Sequence, residues 1–224
     1  MACTADVISI GTLSHNPFWG EKGSVRPAHA TTTLIRDGST SILVDPSLPP
    51  ELLTHRLAER TGLEPGQIDA VFLTTFRPVH RRSLSLFADA HWWLGPDERE
   101  TMAARLNAAL AEHERSEGAE DAPPVEIEEE LALLGQTEPA PEKPSPNVHL
   151  FPSPGASPGS ASLLITAVRT VVVAGDAVLT RDHLENGRVF ERSVDPQQAG
   201  ESFADILEVA EIVIPGHDNL IVVA

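Results

Sequence analysis

Residues 71–80 read V-F-L-T-T-F-R-P-V-H, and this stretch decides the fold. Its first three residues are apolar and typical of a short β-strand. The strand breaks at once into a polar turn, which carries Arg77 and Pro78 and ends on His80. One strand with such an end is a single landmark, so its meaning depends on what precedes and follows it.

Further landmarks surround this stretch in a fixed order. Ahead of it, residues 30–38 and 40–45 (A-T-T-T-L-I-R-D-G and T-S-I-L-V-D) contain β-branched runs separated by an Asp-Gly step, which predicts a hairpin. After it come S-P-G-A-S-P-G-S at residues 153–160, V-V-V-A-G-D at residues 171–176 and I-V-I-P-G-H at residues 212–217. The last two predict strands that lead into an aspartate and a histidine.

These landmarks together resemble the metallo-β-lactamase superfamily over nearly the whole chain. The resemblance implies an α/β (α+β) fold, a four-layer αββα sandwich of the metallo-β-lactamase type. The loop pattern of the family is T-H-x-H-x-D-H, and Thr74 and His80 match its two ends. Four metal-binding positions of the family carry other residues here: Thr75, Arg77, Val79 and Ala156.

This resemblance implies two metal sites, and they differ in how many of the family's ligand residues are present in this sequence. The first keeps only Asp176, which predicts that it holds no divalent metal. The second keeps His80, Asp176 and His217, and two imidazoles with a carboxylate suit Zn²⁺ or Fe²⁺. A bound Zn²⁺ would lower the pKa of its water toward about 7. These three residues are therefore the predicted catalytic and metal-binding residues.

Arg77 leaves two interpretations open. Its guanidinium could pair with Asp176 and replace the lost metal, or it could hold an anionic substrate. A pair with Asp176 is expected to take the carboxylate away from the second site. The sequence thus supports either a single-metal hydrolase acting through a metal-activated water, or a non-catalytic, metal-free member that binds a small anion or a protein partner.

Further substrate contacts are predicted from the loops around this site. Residues 13–28 are rich in Gly, Pro and polar residues and predict a loop, which by resemblance lies over the mouth of the site. His15 and Trp19 could contact a substrate there, or the loop is an ordinary surface loop with an aromatic anchor. His183, in the predicted loop 177–188, is a further candidate, with a surface or supporting role as the alternative.

Local signals predict the supporting elements. Asp45 follows the second hairpin strand, and it either orients the metal loop, as in the family, or is a simple turn residue before a proline. A helix is predicted at residues 50–60, between two strands, which implies a crossover in a partly parallel sheet. Asp97 and Glu100 resemble a capping box for a helix over residues 98–113.

Composition bounds the class of protein. The 224 residues fit one domain, residues 1–224, and the formal charge of −17 argues against nucleic acid or an anionic membrane as a partner. The single Cys3 excludes an internal disulfide and a Cys-rich zinc site. Without a signal-peptide pattern or an apolar run of roughly 20 residues, a soluble cytoplasmic protein is expected. The expected partner is a small-molecule substrate or anion, and the oligomeric state stays open.

An acidic segment interrupts the pattern of landmarks. Residues 112–143 hold eleven acidic residues against Arg115 and Lys143, with frequent prolines. Only residues 125–134 are predicted to form a helix. The segment predicts a solvated, partly disordered insertion at about 112–146, with a partner-docking segment that orders on binding as the alternative.

Overall fold

The structure is a computed structural model that describes residues 3–116 and 125–223. Its strands are β1 Thr4–Ser9, β2 Thr32–Asp37, β3 Thr40–Val44, β4 Ala70–Leu73, β5 His91–Leu94, β6 Glu138–Pro139, β7 Val148–Pro152, β8 Ala161–Thr166, β9 Thr170–Gly175, β10 Ile212–Pro215 and β11 Ile221–Val222. Its α-helices are α1 Pro50–Thr61, α2 Pro96–Ser116, α3 Val125–Gly135, α4 Arg181–Glu185 and α5 Pro196–Val209. Short 3-10 turns lie at Pro17–Trp19, Pro65–Gln67, Pro78–His80 and Leu84–Phe87.

The strands form two sheets. The first has the order β1-β2-β3-β4-β5-β6, in which β1 to β3 pair antiparallel and β3 to β6 pair parallel. The second has the order β11-β10-β9-β8-β7, in which β9 and β10 pair parallel and the other pairs are antiparallel. The predicted hairpin is β2–β3, and the predicted crossover helix α1 connects the parallel strands β3 and β4.

Alternation along β4 shows how the sequence sorts into layers. Val71 and Leu73 join the apolar cluster that α1 covers, whereas Ala70 and Phe72 join the cluster between the two sheets. Both faces of β4 are therefore buried, which explains its unbroken apolar run. The outer helices contribute Leu53 and Leu57 from α1 and Phe203 and Ile206 from α5. The layers run helix, sheet, sheet, helix, so the predicted αββα sandwich is confirmed.

The ends of four strands meet at one place between the sheets. Asp45 follows β3, Thr74 follows β4, Asp176 follows β9, and His217 lies two residues beyond β10. Gly175 brings the two sheets together there, because a Cβ at this position would lie 2.4 Å from Oγ1 of Thr74. Its φ of 53° also favours glycine. The fold thus gathers polar side chains from both sheets.

Two local predictions differ from the structure. α2 begins at Pro96, so Asp97 lies in the first helical turn instead of capping it, and the helix continues to Ser116. The predicted loop 177–188 contains α4, whose first turn is capped by the hydroxyl of Thr180. A helix of five residues is too short for apolar periodicity to reveal it.

The described part of the acidic segment contributes to the core. α3 packs its buried Leu134 into the cluster that α1 also covers, and β6 pairs with β5. The insertion predicted to be partly disordered, at about 112–146, includes residues 117–124, which lie outside the described residues. The extent of the domain, residues 1–224, stays a prediction. None of the helices in the described ranges has the length and apolar character needed to cross a membrane.

Leu134→Ala is expected to lower the free energy of unfolding by about 2–5 kcal/mol, because it removes a buried side chain from a packed cluster. Urea unfolding measures this difference. Glu128→Ala, on the exposed face of the same helix, is the matched control and is expected to stay within about 0.5 kcal/mol of the parent protein. Equal effects of the two substitutions would contradict the packing of α3.

Candidate functional site

His80, Asp176 and His217 meet in a buried cluster. Oδ1 of Asp176 lies 3.2 Å from Nε2 of His80 and 3.2 Å from Nε2 of His217. The possible ligand atoms of all three residues lie within 4.8 Å of one another. The two imidazole rings meet edge to face, with 5.7 Å between their centroids. The structure thus brings together the three residues predicted as metal ligands.

Both imidazoles are held through their Nδ1 atoms. Nδ1 of His80 lies 2.9 Å from Oδ2 of Asp45, and Nδ1 of His217 lies 2.9 Å from the carbonyl oxygen of His29. Both partners accept hydrogen bonds, so Nδ1 carries the proton and a neutral ring turns the lone pair of Nε2 toward Asp176. Among the described residues, Nε2 of His80 and Oδ1 of Asp176 have no hydrogen-bond partner. Electron-rich atoms that face each other in a buried site require a cation or a further proton between them.

A proton or a metal ion can meet this requirement. Burial alone lowers the pKa of His80, but the carboxylates of Asp176 and Asp45 raise it, to about 10. Burial alone raises the pKa of Asp176, yet the positive charge of a protonated His80 and the nearby imidazole of His217 hold this pKa well below its usual range. Two imidazoles and a carboxylate also suit Zn²⁺ or Fe²⁺. The residues therefore fit one divalent ion, whose binding would require His80 to lose its additional proton.

Asp45 connects the hairpin to the loop that carries His80. Its carboxylate accepts hydrogen bonds from the backbone nitrogen of Thr74 at 2.9 Å and from the Thr74 hydroxyl at 2.7 Å. Its backbone φ is 51°, a left-handed conformation that Asp adopts more readily than most residues. Of the two interpretations that the sequence left open, this geometry corresponds to the residue that orients the loop.

Arg77 pairs with Asp176 and leaves the other carboxylate oxygen in place. Nη1 of Arg77 donates to Oδ2 of Asp176 at 2.7 Å, while Oδ1 faces the two imidazoles. Nη2 donates to the carbonyl oxygen of Ala156, and the guanidinium lies 4.9 Å from the centroid of the Phe190 ring. The expectation that this pair takes the carboxylate away from the three-residue site does not hold, because the two oxygens serve different partners.

The remaining positions of the family's first metal site are buried but carry no imidazole. The Thr75 hydroxyl donates to Oε1 of Glu98 at 2.7 Å, and Ala156 offers its backbone carbonyl to Arg77. Sequence reasoning missed Glu98. An acidic residue in the first turn of a helix usually indicates a favourable interaction with the helix dipole at the surface. Its burial depends on the turn at residues 153–160, far away in the sequence.

A cleft of about 270 Å³ opens onto the cluster. Arg77, Asp176 and His217 line it together with His15 and His183, two of the predicted substrate-binding residues. Other side chains of the lining are both apolar and charged: Val79, Leu179, Phe190, Glu191 and Arg192. The buried cluster can therefore be reached by a small molecule.

His183 is fixed in the wall of this cleft. Its Nδ1 lies 2.7 Å from the hydroxyl of Thr180, and the edge of its ring meets Phe18 at 4.9 Å between centroids. Burial lowers the pKa of His183, so the neutral imidazole is favoured at pH 7. The remaining ring nitrogen is the polar atom that His183 offers to the cleft.

Trp19 is not one of the residues that line the cleft. Its ring is 62% exposed, and its Nε1 donates to Oδ2 of Asp182 at 2.9 Å. The side-chain amide of Asn16 donates to the same oxygen at 2.9 Å, and the Arg26 guanidinium lies 5.3 Å from the centroid of the Trp19 ring. This geometry corresponds to the alternative of an aromatic anchor, which fastens the mouth loop to α4.

Comparison with known proteins bears on both sequence and fold. The family model described as the metallo-beta-lactamase superfamily matches residues 25–76, which include the β2–β3 hairpin, α1, β4 and the start of the loop after it. A search of curated proteins found no match.

Solved structures share the architecture at low sequence identity. A Thermotoga maritima protein, provisionally named a metallo-beta-lactamase, aligns over 99% of this chain and 100% of its own, with a TM-score of 0.69 and 14% identity. AiiA of B. thuringiensis, with N-decanoyl-L-homoserine bound at its active site, aligns over 97% and 93%, with a TM-score of 0.65 and 20% identity. AidC, a dizinc quorum-quenching lactonase, aligns over 92% and 80%, with a TM-score of 0.62 and 14% identity. Such identities show a common fold and no more. The family model matches residues 25–76, and the likeness of fold to these structures extends over nearly the whole chain.

Proposed function

We propose that the protein is a hydrolase that uses one divalent metal ion held by His80, Asp176 and His217. One observation carries the proposal. The Nε2 atoms of His80 and His217 each lie 3.2 Å from the buried Oδ1 of Asp176, and their tautomers direct lone pairs toward it. Hydrolases and lactonases among the structural neighbours support the same reaction class. The first metal site of the family is degenerate in this chain, because Arg77 stands in its place.

The residues of the chain have distinct roles in this proposal. When bound, the ion supplies a Lewis acid and, at neutral pH, a hydroxide nucleophile. Asp45 and the carbonyl of His29 hold both ligand imidazoles in the tautomer that offers Nε2. Arg77 places a fixed positive charge in the cleft, where it stabilises negative charge that develops on a substrate oxygen. The neutral His183 lies in the cleft wall, where its remaining ring nitrogen can form a hydrogen bond with a substrate.

The cleft favours a small acyl compound, such as an ester or lactone. Its volume of about 270 Å³ is near the lower end of ordinary ligand pockets, about 300–1,000 Å³. Leu179 and Phe190 offer apolar surface to an acyl chain, and Arg77 offers a cation to its carbonyl or carboxylate oxygen. Several structural neighbours hold N-acyl homoserines, which combine an acyl chain with a carboxylate.

Elemental analysis of protein purified without chelator or a metal-affinity column tests the proposal. About one equivalent of zinc, iron or manganese per chain is expected, as is hydrolysis of small esters or lactones that chelation removes and zinc restores. Negligible metal, still negligible after incubation with excess zinc or iron, would overturn it.

A second candidate is a non-catalytic protein that binds a small anion without metal. The favouring observation is that the Arg77 guanidinium and a protonated His80 together balance the carboxylates of Asp176 and Asp45. Calorimetric titration of chelator-treated protein with acetate and phosphate tests this function. Binding that Arg77→Met weakens at least tenfold would support it, and no binding by the metal-free protein would exclude it at the concentrations used.

A further inference from the structure

Glu98 is a buried acid outside the three-residue cluster. Its Oε1 accepts hydrogen bonds from the Thr75 hydroxyl at 2.7 Å and the backbone nitrogen of Phe76 at 3.1 Å. Its Oε2 accepts from the backbone nitrogen of Gly159 at 3.1 Å, and the Ser157 hydroxyl lies within 2.9 Å of both oxygens. The residue is only 1% exposed and lies in the first turn of α2, whose dipole favours a negative charge. Four groups from two separate loops thus converge on one carboxylate.

The backbone is shaped for this contact. A Cβ at Gly159 would lie 2.0 Å from the backbone nitrogen of Glu98, and a Cβ at Gly95 would lie 3.0 Å from the carbonyl oxygen of Gly159. Only glycine permits the turn to approach the start of α2 so closely. The contact between Glu98 and this turn is therefore a fixed part of the packing.

The two loops that Glu98 joins are those that place Arg77. Thr75 and Phe76 directly precede Arg77, and Ser157 directly follows Ala156, whose carbonyl oxygen accepts a hydrogen bond from Arg77. The same guanidinium holds Oδ2 of Asp176. The Glu98 carboxylate thus fixes both the backbone that carries Arg77 and the carbonyl that receives it.

We infer that Glu98 is a positioning residue, which clamps residues 74–77 to the turn at 153–160 and so holds Arg77 against Asp176. This part of the inference rests on the proposed function. In the hydrolase, the hydrogen bonds of Glu98 hold the two loops together, as a second bound metal ion would. The site then needs only a single ion. The clamp itself belongs to the metal-free protein, so its test needs no metal.

Chemical modification of arginine tests the clamp in chelator-treated protein. Phenylglyoxal is applied to the parent protein, to Glu98→Gln and to Glu100→Gln, and the rate at each arginine is read by mass spectrometry. Glu98→Gln keeps the shape of the side chain but puts an amide where a backbone N–H or a hydroxyl must donate. The rate at Arg77 is expected to rise several-fold in Glu98→Gln and to stay unchanged in Glu100→Gln, an exposed residue of the same helix.

Arg26 serves as the internal reference, because its side chain is 29% exposed against 28% for Arg77 and it also pairs with a carboxylate. An unchanged rate at Arg77, or an equal rise at Arg26 and Arg77, would overturn the inference, since the second result reports general loosening. Ser157→Ala removes one donor and is a milder variant, with a smaller rise at Arg77 alone expected. A parent protein that holds no metal would overturn the proposed function without affecting this result.

Discussion

His217→Ala is expected to remove the bound metal, from about one equivalent per chain to none, and the hydrolytic activity with it. His217 supplies one of three ligand atoms, and removing a residue that merely supports a ligand already costs about 10–100-fold in metal affinity. Its Nδ1 hydrogen bond goes to a backbone carbonyl, and after the change Asp176 keeps its ion pair with Arg77 and its contact with His80. Elemental analysis and zinc titration measure the loss, and circular dichroism shows whether the fold persists.

His91→Ala is the matched control for this substitution. His91 is exposed on β5 and pairs with Glu138, well apart from the strand ends that carry the site. Metal content and activity are expected to equal those of the parent protein. If His217→Ala keeps its metal and changes only the free energy of unfolding, the cluster is structural and the hydrolase proposal fails.

The metal-free protein is expected to lose stability as the pH rises above about 6.5. The pKa of His80 is about 10 in the fold, against about 6.5 in an unfolded chain. Its stabilisation is therefore complete below about 6.5 and is lost progressively as the pH rises toward 10. The lowered pKa of Asp176 has the opposite sign, because that stabilisation is present above about 3.9 and is lost as the pH falls. Together the two groups favour the range between about pH 4 and 6.5.

Urea unfolding at pH 5, 7 and 9 measures this dependence, with His80→Gln as the reference. The two proteins share every other ionisable group, so the difference between their curves isolates His80. Zinc is expected to reverse the trend, because binding requires the neutral imidazole and the stabilisation by zinc grows as the pH rises. Parallel curves for the two metal-free proteins would contradict the assignment of a charged His80.

The resemblance of the ordered landmarks to the metallo-β-lactamase superfamily predicted the sandwich and the meeting of His80, Asp176 and His217. His80, Asp176 and His217 each follow a short apolar strand, and strand ends in this fold converge at one edge. The roles of Asp45 and Arg77 stayed open, because a turn residue and a ligand-orienting residue have the same local pattern. Oδ1 and Oδ2 of Asp176 have different partners because of the exact orientation of the carboxylate, and residue types alone do not predict that orientation.

The contacts of Glu98 and Trp19 could not be predicted from local sequence patterns. Glu98 reads as an ordinary acidic residue at the start of a helix, and only a turn some sixty positions later buries it. Trp19 reads as a substrate contact, yet its indole N–H finds the carboxylate of Asp182 outside the cleft. Both outcomes depend on partners distant in sequence, which spacing and periodicity do not reveal.

The guanidinium of Arg77 supplies the site with a positive charge that does not depend on metal supply. A metal ion must be acquired from the surroundings and can be removed by competing ligands, whereas the Arg77 guanidinium is a covalent part of the chain. The positive charge paired with Oδ2 of Asp176 therefore belongs to the chain itself, and only the proposed metal ion has to be acquired. In the proposed hydrolase, loss of the metal ion would leave Asp176 still paired with Arg77.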